Sequence, residues 1–303
     1  MTAEQLGFAL RPGVFSPHEI QHSATLLDRN DRISRIFVPD GRMGYESLEV
    51  VSSILTGTSR ILAGNGVIRL LEHDPALLIR RIQTIQAFSG NRFFLGVGTG
   101  TPGPQPSKTV LAMLARLDLV KEGFRQFPKG VHPPEVFIAA LKSGIARKTV
   151  GKTDGLLLNF CSPNHASSLI SSLREPSGKN AAIGCYLKIF FSSKNDETAQ
   201  RLMMREFLNY DSSPQYHEMF MEDETARSLQ RFREDDEWKT RPFELPKELR
   251  RISLANPRSD ELQEYVLSFR KAGVALPVPY PYFPADETSE FKYDTIRRIL
   301  EAV

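Results

Sequence analysis

Two stretches of the chain carry residue types at spacings that could do chemistry. His18-Glu19-Ile20-Gln21-His22 is H-E-x-x-H, which on a helix sets two imidazoles one turn apart with a carboxylate between them, as in a zinc centre with a general base. Gly98, Gly100 and Gly103, within FFLGVGTGTPGPQP, fit G-x-G-x-x-G, the loop that holds a dinucleotide pyrophosphate on the helix that follows. The neighbours of each motif argue against both readings. Ser16 is placed as an N-cap, Pro17 as the first helical residue and Glu19 as the third, so Glu19 completes a capping box and its carboxylate already has a structural role. No third ligand stands at a useful spacing downstream, and no metal is expected. Pro102, Pro104 and Pro106 hold the next helix back to about residue 107, whereas a nucleotide loop leads straight into its helix. The glycine segment reads instead as a strand end turning sharply, or as one whose missing side chains let a flat ligand approach.

Asp40 closes the run RIFVPDGRMGY. An acid at a strand end can take a proton or orient a ligand, and an Asp before Gly41 also suits a plain turn. Arg42, Tyr45 and Arg69 stand just past strand ends, and His73 lies a little further on. The segment VALPVPYPYFP reads as a short last strand stopping near Val278, because proline cannot donate to a sheet ladder. Tyr280, Tyr282 and Phe283 would then wall a pocket.

These residues need a frame that brings strand ends together. Short β-branched or aromatic runs alternate with longer stretches of helical periodicity, the mark of βαβ units around a parallel sheet. Strands are expected at 6–10, 33–39, 60–67, 92–97, 135–140, 155–160, 183–191 and 273–278. Eight strands alternating with helices fit a (β/α)8 TIM barrel better than an open doubly wound sheet. Residues 194–252 read as an almost wholly helical, charged insertion after the seventh strand, with opposite charges one turn apart in EDETARSLQRFREDDEW. The expectation is one barrel domain over residues 1–303 including that insertion. Its catalytic face is the one where the strands end.

Composition limits the partners. With 303 residues, 41% hydrophobic, 25% charged and a formal charge of +3, the chain reads as a globular protein without the basic footprint that nucleic acid requires. Cys161 and Cys185 could make one bridge, but a chain not built on disulfides reads as cytoplasmic. The first residues lack the pattern of a signal peptide, and no run is apolar enough to enter a membrane.

The stretch TSRILAGNGVIRLLEHDPALLIRRIQTIQAFSGNRFFLGVGTG resembles the luciferase-like (β/α)8 superfamily, in which a T-x-R-I-x-L-G-T-x-V strand precedes H-P, a helix and then S-x-x-R-x-x-L-G-x-G-x-G. The likeness continues in PPEVFIAALKSGIARKTVGKTDGLLLNF and ELQEYVLSFRKAGVALPV. It is dense over 34–101 and 133–160, and closest to the branch that uses the deazaflavin coenzyme F-420. The resemblance implies an oxidoreductase transferring a hydride between coenzyme F-420, or alternatively FMN, and a small organic substrate, working as a homodimer. An FMN-dependent monooxygenase and a non-catalytic flavin-binding barrel are the other readings. Asp40 would meet the cofactor ring, as the acid or base or as an orienting group. Gly66-Val67 matches the position of a non-prolyl cis peptide behind the ring. Gly98, Thr99, Gly100 and Thr101 match the glycine-rich end of strand four, and Ala140, Leu141, Lys142 and Ser143 the loop whose amides hold the cofactor phosphate. Tyr45, Arg69 and Tyr280 would line the substrate pocket. Two departures stand out: Gly41 replaces the histidine that follows the acid, and Thr101 a glutamate found in some deazaflavin dehydrogenases. Leu141-Lys142 replaces a small pair, so Lys142 could supply a charge where backbone approach is less free.

Overall fold

The computed structural model describes residues 5–41, 44–100, 105–173, 181–222 and 224–303. Arg42 and Thr101 lie outside them. Eight main strands run in parallel in the order β1 (Leu6–Ala9), β2 (Ile33–Val38), β3 (Leu62–Asn65), β5 (Phe93–Gly98), β6 (Glu135–Ala139), β7 (Gly155–Asn159), β8 (Ala182–Phe190) and β10 (Leu276–Tyr282). Two short pieces join them: β4 (Ile68–Arg69) pairs with β5 and β9 (Leu254–Ala255) with β8. The sheet curls until β10 lies beside β1, so that a Cβ added at Gly7 would come within 2.9 Å of Val278. The alternating pattern therefore does build the expected α/β barrel.

Its lumen is filled by aromatic rings from strands that are not neighbours. Phe37 of β2 lies 4.7 Å from Phe94 of β5 and 6.0 Å from both Phe137 of β6 and Tyr186 of β8, centroid to centroid. Such contacts require inward-facing side chains from all round the barrel, so this is a packed core and no open channel. Around it stand α1 (Pro17–Asp28), α2 (Ser47–Thr56), α3 (Pro75–Ser89), α4 (Pro106–Phe124), α5 (Ser143–Thr149) and α6 (Pro163–Ser171). Local signals set their starts. Ser16 and Glu19 form the capping box of α1, with Ser16 N–H donating to Glu19 Oε2 at 2.7 Å. Asp74 caps α3 through the amide of Leu77 at 2.8 Å, and Pro106 opens α4 at its first turn.

Two expectations need correction, and one open alternative is decided. The last strand does not stop near Val278 but continues to Tyr282, in unbroken parallel register with β8 from Leu276↔Gly184 to Tyr282↔Phe190. The carbonyl of Tyr282 accepts from Phe191 at 2.9 Å, so residues of its parity turn their backbone groups toward β8. Pro277, Pro279 and Pro281 have the opposite parity, and their missing donors fall on the β1 side, where they cost the β8 ladder nothing. The insertion is helical only at α7 (Asp196–Asp211), α8 (Pro214–Glu222) and α9 (Thr225–Glu234). Beyond Glu234 come two short 3-10 turns and β9 before α10 (Ser259–Lys271) and the closing helix α11 (Ser289–Ala302). The charge pattern of EDDEW does not reveal this because the segment is held by packing: Trp238 is buried and donates to the carbonyl of Phe232 at 3.0 Å. Finally, Cys161 and Cys185 are both free, their sulfurs 3.8 Å apart.

Candidate active site at the barrel mouth

A parallel barrel gathers all its strand ends on one face. Arg11 follows β1, Asp40 follows β2, Gly66-Val67 follows β3, Thr99-Gly100 follows β5, and the 140–143 segment follows β6. Lys188 and Tyr280 stand near the ends of β8 and β10. Among the described residues, those picked out from the sequence come from different strands onto one rim, with one exception. Tyr45 is 52% exposed and lies over α1, against Pro17 and Gln21.

Asp40 is held in a network. Its Oδ2 lies 3.1 Å from Arg69 Nη1, and Arg69 Nε donates to Glu72 at 2.7 Å. The Ser47 hydroxyl bonds Asp40 as well and accepts from Asn65 Nδ2 at 2.9 Å. The Asp40 side chain is only 8% exposed. Burial raises its pKa above the ordinary carboxylate value, with Arg69 and the Ser47 hydroxyl pulling the other way and His73 helping them. Asp40 therefore retains a proton more readily than a free aspartate. Ser47 and Asn65 carry no motif; only their burial on neighbouring elements brings them into the network.

The peptide bond between Gly66 and Val67 is cis, where the resemblance implied it. The Gly66 carbonyl accepts from the hydroxyl of Tyr186 at 2.7 Å, across the lumen from β8. Glycine is required at 66 because a Cβ there would stand 1.8 Å from that hydroxyl. The space left by Gly98 is filled by Val67, at 2.7 Å from an added Cβ, and that of Gly100 by the stem of Arg69, also at 2.7 Å. Gly100 has φ +68, which glycine adopts without strain. These glycines let the end of β5 pack against the turn after β3; Arg69 and Gly98 are register partners across β4 and β5.

After β6, the Leu141 carbonyl meets His165 Nε2 at 2.8 Å, and the other ring nitrogen meets Glu222 of α8 at 3.0 Å. Lys142 is paired with Glu218 of the same helix. Helix α8 is thereby fastened beside the 140–143 segment.

The charged centre of the mouth carries no sequence motif. Lys188 is fully buried, its Nζ 2.6 Å from Glu206 of α7 and 3.7 Å from the ring centroid of Tyr210. Tyr282 donates to the same Glu206 oxygen at 2.8 Å. One signal was there to find: a single lysine inside the apolar run AIGCYLKIFF, which a buried strand tolerates only with a partner. The partner lies in the insertion, out of reach of any local pattern.

Two buried amide oxygens at the mouth, Asn65 Oδ1 and Asn159 Oδ1, have no hydrogen-bond partner. They are acceptors at the ends of β3 and β7, and their chemistry fits the N–H edge of a flavin or deazaflavin ring. Among the described residues, no group of His, Cys, Asp or Glu side chains is placed to hold a metal, and no helix is long and apolar enough to cross a membrane.

Comparison with known proteins agrees with this geometry. Residues 2–122 match the family model of the luciferase-like monooxygenases. An F-420-dependent secondary alcohol dehydrogenase, solved with an F-420-acetone adduct, is 11% identical with a TM-score of 0.77, over 100% of this chain and 99% of that one. The coenzyme F-420 dependent tetrahydromethanopterin reductase of Methanopyrus kandleri is 15% identical with a TM-score of 0.70, over 100% and 99%. The oxygenating constituent of the 3,6-diketocamphane monooxygenase of Pseudomonas putida, solved with FMN, is 14% identical with a TM-score of 0.63, over 99% and 97%. None of the curated proteins is similar enough in sequence to count as a relative. The likeness to solved structures is one of fold, and the stretch that matches the luciferase-like monooxygenase model, residues 2–122, bears Asp40, Gly66-Val67 and the end of β5.

Proposed function

We propose that the chain is an oxidoreductase that exchanges a hydride between coenzyme F-420 and a small organic substrate, with FMN as the alternative cofactor. The observation that carries this reading is that the family match over residues 2–122 spans the three strand ends on which Asp40, Gly66-Val67 and Gly98 to Gly100 share one rim. Solved structures of this fold that bind F-420 and FMN support both cofactors. The bound ring would supply the hydride chemistry, while the protein positions it and excludes water.

The chain's own residues then have separate tasks. Asn65 and Asn159 offer acceptors to the ring edge, and the turn at Gly66-Val67, with Gly98 and Thr99 beside it, forms the wall behind it. Asp40, raised by burial, holds or accepts the proton that must accompany hydride transfer. Arg69 keeps the Asp40 carboxyl oriented, and Tyr280 belongs to the facing wall. The backbone of 140–143 is the candidate phosphate contact, with Lys142 available once it leaves Glu218. Gly41, in place of the family's histidine, leaves Asp40 as the titrating group of the β2 end.

Titration of the purified protein with F-420 and with FMN, followed by fluorescence quenching, tests this reading. Saturable quenching by one of them is expected, weakened in Asp40→Ala with the melting temperature preserved. Quenching by neither would refute the function, and unchanged affinity and turnover in Asp40→Ala would remove Asp40 from the site.

A further inference from the structure

Among the described residues, the mouth contains one cation more than it pairs. Arg11 follows β1 directly and is half-buried, with its guanidinium 5.4 Å from the ring centroid of Tyr282. It lies in the field of Glu206, Tyr280, Tyr282 and Tyr210. Yet among the described residues it donates no side-chain hydrogen bond and forms no ion pair. The one carboxylate nearby, Glu206, is taken through Oε1 by Lys188 at 2.6 Å and by Tyr282 at 2.8 Å. Two cations therefore share one anion in a largely desolvated aromatic setting, and such charges ordinarily find partners. Burial keeps the hydroxyls of Tyr280 and Tyr282 protonated, and that of Tyr282 is given to Glu206.

We propose that Arg11 is the recognition point for a carboxylate carried by the substrate, with Tyr280 and Tyr282 flanking the rest of the molecule. The guanidinium fork matches a planar carboxylate with two parallel hydrogen bonds. Arg11 opens onto the same face as Asp40. Leu10 N–H donates to the Phe37 carbonyl at 3.0 Å, so Arg11 and Asp40 leave adjacent strands, whose backbones run about 5 Å apart. A carboxylate on Arg11 thus lies on the face that Asp40 shares. The substrate class is a small organic acid.

Binding of that anion is measurable without turnover; its role as substrate rests on the hydride-transfer reading above. Benzoate, benzamide and phenyl phosphate are titrated against the whole protein by calorimetry, with and without cofactor. Benzoate is expected to bind at least about tenfold more tightly than benzamide. Arg11→Gln should abolish that preference while the cofactor titration and melting temperature stay unchanged. Should that variant fail to fold, Arg11→Lys, which keeps the charge and loses the fork, is expected to lower benzoate affinity severalfold. Equal binding of benzoate and benzamide, or benzoate binding indifferent to both Arg11 substitutions, overturns the proposal. Preference for phenyl phosphate overturns the carboxylate assignment. An Arg11-dependent benzoate site in a protein that binds neither cofactor supports the anion site and refutes the redox function, so the two failures are separable.

Discussion

The hydroxyl of Tyr186 reaches across the barrel to the carbonyl of Gly66 at 2.7 Å. One side chain thus ties β8 to the turn after β3. Removing the hydroxyl in Tyr186→Phe leaves a buried carbonyl without a donor, at an expected cost of about 1–3 kcal/mol in chemical denaturation. Gly66→Ala should be worse, because its Cβ would stand 1.8 Å from that hydroxyl. The clash is shared, so Tyr186→Phe should partly rescue Gly66→Ala, and a double-mutant cycle showing strict additivity would contradict this.

Glu206 is expected to matter more for stability than its partial exposure suggests. Burial alone would raise its pKa, but Lys188 and the bonds from Lys188 and Tyr282 outweigh burial and hold it below the ordinary carboxylate value. Its contribution is therefore present at neutral pH and lost as the pH falls through the folded-state value. Glu206→Gln leaves the Lys188 ammonium buried without a counter-charge, at about 3–5 kcal/mol. Lys188→Met combined with Glu206→Gln should recover most of that loss in a thermal melt.

Asp40 should show the opposite pH dependence. Its folded-state pKa is raised, so the folded chain binds this proton more tightly than the unfolded chain does. Ionising Asp40 then costs stability as the pH rises above the ordinary carboxylate range. Asp40→Asn removes that cost, and Arg69 keeps its bond to Glu72 at 2.7 Å. Melts between about pH 4 and about pH 8 should find the variant gaining on the wild type as the pH increases. A relative loss would mean that the charged carboxylate is held favourably.

At the other end of the barrel Arg92 has a purely structural role. Its guanidinium donates to the carbonyls of Leu55 at 2.6 Å, Ser89 at 2.8 Å and Thr58 at 3.0 Å, joining α2 and α3 below β5. Arg92→Ala should lose about 2–3 kcal/mol. Cofactor affinity, measured by quenching on the folded fraction, should not change, because the site is at the opposite face.

Much of this frame was legible in the residues. Ser16, Pro17 and Glu19 announced a capped helix instead of a zinc site, and the structure shows both capping bonds. Pro102, Pro104 and Pro106 announced a late helix start, and α4 opens at Pro106. Asp40 and Gly66-Val67 were placed at strand ends by counting alone. The glycines at the end of β5 have a role their sequence does not reveal: they accommodate Val67, from the turn after β3, and the stem of Arg69 in β4. The prolines of β10 were misread because a missing donor matters only on the side where a ladder is needed, and parity decides that side.

The sequence by itself determined the alternation of the eight main strands with the barrel helices, where most of those helices start, and that the strand ends meet on one face. Those properties follow from periodicity, capping and backbone restriction, each acting within a few residues. The tertiary structure alone decided which side chains share that face. Tyr186 meets Gly66 across 120 residues of chain, and Lys188 meets Glu206 only because α7 folds back over the strand from which it follows. Arg11 stands beside Tyr282 because the first and last strands lie side by side. Burial removes water from these groups, and it is burial, set by the whole fold, that turns ordinary residues into a site.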